Sequence, residues 1–127
     1  MYIILKEESN LPIYEQIVNA VKEGLINHTI QPGEMLPSIR SLAKDLQISV
    51  ITTKRAYDEL EKDGLIYSVP GKGFYVKETN QEFLREQQLK KLEQQLSDWI
   101  EQARGLGISP DEMKSMLDVL CEGRKES

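Results

Sequence analysis

The 127-residue chain carries 16 basic and 21 acidic residues, a net charge of −5, with 39% hydrophobic and 29% charged residues. Those proportions describe a soluble, rather polar globular chain with a modest core, one ordinary domain plus an appendage. They leave no apolar run near the roughly 20 residues of a membrane helix, and the single cysteine, Cys121, excludes an internal disulfide or a cysteine-built zinc site.

The charge is unevenly spread. Residues 1–77 hold 9 basic and 10 acidic groups, whereas residues 78–127 hold 7 and 11. The acidic surplus therefore belongs to the C-terminal part, and the first part can still present a basic face. The N-terminal stretch has only five residues before its first charge, too short for a signal-peptide core, so the expected compartment is the cytosol.

Tyr2 to Leu5 is a short β-like run, broken by Glu7 to Asn10. Pro12 suits the first turn of a helix, and Ile13, Ile17, Ala20, Val21, Gly24 and Leu25 recur at helical spacing up to the Pro32-Gly33 turn. The lone His28 reads as a helix-end residue, with no second histidine to share a metal. Ser38 is an N-cap candidate for a second helix of about ten residues with Ile39, Leu42, Ala43 and Leu46 on one face. Ser49 can cap a third helix that runs to about Asp63 and stops at Gly64. Its inward face is Thr53, Ala56, Tyr57 and Leu60; its outward face is Ile51, Lys54, Arg55, Asp58 and Lys62. Leu65 to Val69, the tip Pro70 to Gly73 and the return Phe74 to Val76 form a β-hairpin. The expected fold is mainly α with a small hairpin: a winged helix-turn-helix over 1–77 and a two-helix arm over 78–127.

From Gln81 to Arg104 the residues Leu89, Leu92, Leu96, Trp99 and Ala103 alternate spacings of three and four, the seam of a packed helix pair, widened by Leu84 and Ile100. Gly105 to Gly107 ends that helix. Ser109, Pro110 and Glu112 form a capping-box signature for the last helix, whose apolar face is Met113, Met116, Leu117 and Leu120. Cys121 reads as a partly buried helix residue, and Glu122 to Ser127 as a frayed polar tail. Two short helices cannot bury such a seam alone, so a second copy of the chain is the expected partner. The expected dimerisation residues are Leu89, Leu92, Leu96, Trp99, Ile100 and Ala103.

Taken together, Pro32-Gly33, the run Leu36-Pro37-Ser38 with Arg40, Leu42 and Ala43, the run Thr52, Lys54, Ala56, Tyr57, Leu60 and Gly64, and finally Gly71, Lys72, Gly73 and Val76 resemble the DNA-binding domain of the GntR family of bacterial transcription regulators over about residues 10–77. The short C-terminal part is similar in length and architecture to that of the YtrA subfamily. The resemblance implies a dimer on a two-fold operator in double-stranded DNA, most often as a repressor, with the third helix in the major groove and the wing tip in the minor groove. It implies DNA contacts from Arg40, Thr52, Lys54, Gly71, Lys72 and Gly73; Ser38 and Ser49 at the helix starts and Ile51 and Arg55 on the outward face of the third helix complete the expected DNA-contacting set. It also points to a transporter operon as the target. The chain departs from the family pattern at Val50, where many members carry an arginine that reads bases.

Two residues on the outward face keep alternatives at this level. Ile51 either meets a thymine methyl or packs against the wing or the second helix. Arg55 either reaches DNA or pairs with Glu59 at i+4. No cofactor is expected; an effector of unknown chemistry would have to favour one arrangement of the DNA-reading heads over another. An enzyme is disfavoured, since no triad, metal cluster or nucleotide loop appears. The alternative reading is a winged helix that binds protein, which would not require the basic set Arg40, Lys54 and Lys72.

Overall fold

The computed structural model describes residues 3–123. The chain divides at Arg85 and Glu86 into two compact units, a few residues beyond the boundary expected at 77. The first contains helices α1 (Ile13–Ile26), α2 (Ile39–Leu46) and α3 (Val50–Lys62) and the antiparallel strands β1 (Ile66–Val69) and β2 (Gly73–Val76). Helix α4 (Gln81–Gly105) begins in the first unit and continues through the second, which it forms with α5 (Pro110–Gly123).

The boundary lies inside α4 because Leu84, placed on the arm's seam by its spacing, is instead buried in the first unit's core beside residues such as Ile17, Leu60 and Ile66. One turn of α4 thus serves the head, and the free seam starts further along.

The ends of the helices follow from local chemistry. The Ser38 hydroxyl accepts from the Ser41 N–H at 3.0 Å and the Ser49 hydroxyl from the Thr52 N–H at 3.0 Å, so both expected caps satisfy first-turn donors. Helix α3 closes with Leu65 N–H bonded to the Leu60 carbonyl and Gly64 N–H to that of Glu61, Gly64 standing at φ +76°. This paired closure is a Schellman motif, which calls for a left-handed residue after the last turn. Helix α2 ends the same way through Gln47 at φ 57°, a position where a side chain is uncommon.

The hairpin tip is a three-residue connection. Lys72 N–H bonds to the Val69 carbonyl at 3.0 Å, with Pro70 and a left-handed Gly71 (φ +76°) at the two central positions, the pattern of a type II turn. The segment before α2 runs beside β2: Leu36 N–H donates to the Phe74 carbonyl and Val76 N–H to that of Glu34. The wing is thereby tied to the entrance of α2.

The β-like run at the N-terminus is not a strand. Residues 3–6 have no ladder partner among the described residues; Ile3 and Leu5 pack against the core while Ile4 is exposed. The Gln16 side-chain amide takes the place of a neighbouring strand. It accepts from the Lys6 N–H at 2.8 Å and donates to the Lys6 carbonyl at 3.1 Å. Tyr2 lies outside the described residues. Cys121 is exposed rather than partly buried. Of the tail expected to fray, Glu122 and Gly123 are helical, and the rest lies outside the described residues.

Tyr57 on α3 is fully buried, and its hydroxyl donates to the Pro37 carbonyl at 2.6 Å. Its ring meets Phe74 of β2 edge to face at 5.0 Å between centroids. Tyr57→Phe keeps the ring and removes the donor to a half-buried carbonyl, so it should lower unfolding free energy by about 1 kcal/mol in urea titration. Gly71→Ala should cost about 1 kcal/mol, and Gly71→Asn less, because asparagine tolerates φ above zero better.

Candidate nucleic-acid interface

The rotation of α3 decides what the first unit shows to its surroundings. Thr53, Ala56, Tyr57 and Leu60 are all buried. The opposite face then leaves Ile51, Lys54, Arg55 and Asp58 exposed. Ile51 is 81% exposed, which removes packing against the wing or α2 as an account of this isoleucine.

The first turn of α3 is organised around Ser49. Its hydroxyl accepts from the Thr52 N–H and donates to Thr52 Oγ1 at 2.8 Å. Both functions of Ser49 are thus engaged within the turn, and the Thr52 O–H is left to donate outward. The Ser38 hydroxyl is likewise engaged by the Ser41 N–H. The two serines therefore build the helix starts, and beside them Arg40 on α2 and Thr52, Lys54 and Arg55 on α3 are placed to reach another molecule. Arg40 and Lys72 are exposed, the latter at the hairpin tip with Gly71 also exposed and Gly73 half-buried. A Cβ added at Gly71 or Gly73 would meet nothing within 4 Å. Their backbone angles, φ +76° and φ +130°, are what call for glycine there.

The two adjacent cations differ in surroundings. Lys54 Nζ pairs with Asp58 at 2.8 Å, one turn on along the same helix. Both partners are exposed, so this pair contributes little to stability. Arg55 does not pair with Glu59. Its guanidinium lies over the Tyr14 ring, 3.9 Å from the centroid, and donates to the Tyr14 hydroxyl at 3.3 Å. That hydroxyl donates in turn to Glu15 Oε1 at 3.1 Å. Burial, followed by the bond to Glu15, raises the Tyr14 phenol above its ordinary value, so it remains neutral and keeps its proton as a donor. Tyr14 stands outside the set picked by sequence. No local pattern marks it, since its partner is 41 residues away.

The second unit presents a different surface. Ala103 is buried at the hairpin between α4 and α5, whereas Leu89, Leu92 and Leu96 are exposed and Trp99 and Ile100 half-buried. Leu96, Trp99 and Ile100 line one side of an open apolar cavity of about 430 Å³; Met113, Leu117 and Leu120 of α5 line the other. The α5 residues belong with the seam and were legible as an apolar helix face, but spacing alone does not say which helix they join. The Ser109 hydroxyl accepts from the Glu112 N–H at 3.2 Å, as a cap should. The Glu112 carboxylate meets that same hydroxyl at 3.3 Å rather than closing the box on the Ser109 N–H. Among the described residues no helix is long and apolar enough to cross a membrane, and no cluster of His, Cys, Asp and Glu is placed to hold a metal ion.

Comparison with known proteins agrees with this architecture. Residues 13–76 match the family described as bacterial regulatory proteins, gntR family. The chain is 33% identical over 115 residues to the HTH-type transcriptional repressor YtrA of Bacillus subtilis, covering 91% of this chain and 88% of that one. Among solved structures it is similar to a Listeria monocytogenes protein described as a transcriptional antiterminator, at 30% identity and a TM-score of 0.70 over 94% of this chain and 90% of that one. It is also similar to the AraR DNA-binding domain in complex with operator ORX1, at 25% identity and a TM-score of 0.52 over 60% of this chain and 95% of that one. With a winged helix-turn-helix whose sequence matches the family throughout the head, and relatives that are transcription regulators rather than enzymes, the chain belongs to the gntR family of bacterial regulatory proteins and is a YtrA-like, DNA-binding transcription regulator.

Proposed function

We propose that the chain acts as a homodimeric repressor that places α3 in the major groove of a two-fold operator and the wing tip in the minor groove. The observation that carries this reading is the outward face of α3. Ile51, Thr52, Lys54 and Arg55 form a basic and apolar surface at the start of a helix whose opposite face is fully buried. Arg40, Lys54, Arg55 and Lys72 would contact phosphates and set the register. With Val50 in place of the arginine common in the family, Ile51 supplies apolar contact to a thymine methyl. The repressor assignment is supported by the description of the Bacillus subtilis relative, and operator DNA as the partner by that of the AraR complex. Control of a transporter operon follows from the YtrA-like resemblance, and the work is done in the cytosol where such DNA lies.

Dimerisation is assigned to the arm. Its exposed leucines and the cavity beside Trp99 need cover, and the acidic surplus of residues 78–127 discourages this region from binding DNA. A two-fold pairing through α4 and α5 would match the symmetry of an operator.

Three variants test the reading. In titrations of a labelled duplex from upstream of the chain's own gene against a shuffled duplex, Lys54→Ala should weaken binding to both and lower the slope of log affinity against log salt by about 1. Ile51→Ala should instead narrow the preference for the native duplex several-fold; an undiminished preference would remove the methyl contact. On the arm, Leu92 is 61% exposed, so Leu92→Glu should leave the fold intact, convert the dimer to monomer in sedimentation, and reduce operator affinity at least tenfold. A variant that remains dimeric would place the interface elsewhere.

A further inference from the structure

The basic surface of α3 contains one cation that is held from outside its own helix. Lys54 shares its charge with Asp58 at 2.8 Å. Among the described residues no carboxylate lies at ion-pair distance from Arg55, which rests on Tyr14 of α1 instead. The contact covers one face of the planar guanidinium and uses one of its donors. The remaining N–H groups lie at the rim of the fork, where a tetrahedral anion can be bridged. The Tyr14 hydroxyl can accept from Arg55 because its own proton is directed to Glu15 at 3.1 Å. Tyr14 in turn is half-buried and packed against the core of the first unit. A rigid ring thus fixes an otherwise mobile four-bond side chain, and the entropy of ordering that side chain is met before any ligand arrives.

We propose that Tyr14 is a positioning residue for DNA binding: it holds Arg55 as a preformed clamp for a backbone phosphate, with Glu15 setting the direction of the phenolic proton. The inference rests on the DNA-binding reading above and adds a residue of α1 to the interface. It also divides the work of the two adjacent cations. Arg55 meets phosphate as a fixed fork, while Lys54 must first leave Asp58. Because a phosphate contact is blind to sequence, the effect of Tyr14 must appear equally on any duplex.

The test uses the full chain with the upstream duplex and a shuffled duplex, at several salt concentrations, beside urea unfolding of each variant. Arg55→Ala and Tyr14→Ala should each weaken binding to both duplexes about fivefold and lower the salt slope by about 1. Tyr14→Phe, which keeps the stacked ring, should restore most of the affinity. The double variant Tyr14→Ala/Arg55→Ala should bind about as well as either single one, since both remove the same clamp. A Tyr14→Ala protein with an unchanged salt slope overturns the proposal, whatever its stability. So does a double variant about 25-fold weaker, the product of two independent fivefold losses. Wild-type chain that binds neither duplex at low salt overturns the DNA-binding reading and this inference with it. Binding by wild type with full retention in Tyr14→Ala sinks the inference alone.

Discussion

The geometry of the head depends on the buried hydroxyl of Tyr57. A tyrosine taken out of water must find an acceptor for its O–H, and here the acceptor is the Pro37 carbonyl at 2.6 Å, one residue before the Ser38 cap. The same ring meets Phe74 edge to face. One side chain therefore ties α3 to the entrance of α2 and to the returning strand of the wing. Burial also raises the phenol well above its ordinary value, so the hydroxyl stays protonated as the donor of this bond. Once Tyr57 is inward together with Thr53, Ala56 and Leu60, the periodicity of the helix puts Ile51 and Arg55 on the opposite face and Lys54 on its exposed flank.

The helix ends are built to keep that surface short and firm. Serine hydroxyls close the starts of α2 and α3, and left-handed residues close their other ends. Ser38 accepts from Ser41 and Ser49 engages both functions of its hydroxyl with Thr52, so both serines fix the backbone from which Arg40, Thr52 and Lys54 project. The wing follows the same economy. A proline and a left-handed glycine set its turn, and the strand facing the α2 entrance anchors it, leaving Lys72 exposed at the tip. The pair of tyrosines facing each other across the hairpin, Tyr67 and Tyr75 with centroids 5.8 Å apart, stiffens it further.

The arm obeys a different rule. Its helices are joined by a tight closure in which Ile108 N–H bonds to the Ala103 carbonyl and Gly107 takes φ +76°. That turn buries Ala103 but cannot bury the leucines further from it. Two helices have too little surface to cover one another, and the apolar residues left over are those that our proposal gives to a second copy. Along α4, burial passes from Leu84, committed to the head's core, to Leu92, which stays exposed.

Local chemistry by itself determined the order of the five helices and the hairpin, the three serine caps, the stop at Gly64, the hairpin turn and the inward face of α3. Each depends on dihedral preference, capping or periodicity within about one or two turns of chain, and these are written in consecutive residues. Tertiary structure alone decided the rest. Ile3 to Leu5 has strand-like residues but no strand beside it, and a glutamine side chain took that place. Leu84 and Leu92 share one periodic pattern, yet only the core they lie near separates them. Arg55 had a ready partner at Glu59, and its orientation was settled by Tyr14, 41 residues away in the chain. Cys121 stayed exposed because nothing in its own chain packs over it among the described residues. What decides each case is the presence, or at Cys121 the absence, of a packing partner beyond the neighbouring turns, so no window of neighbouring residues contains it.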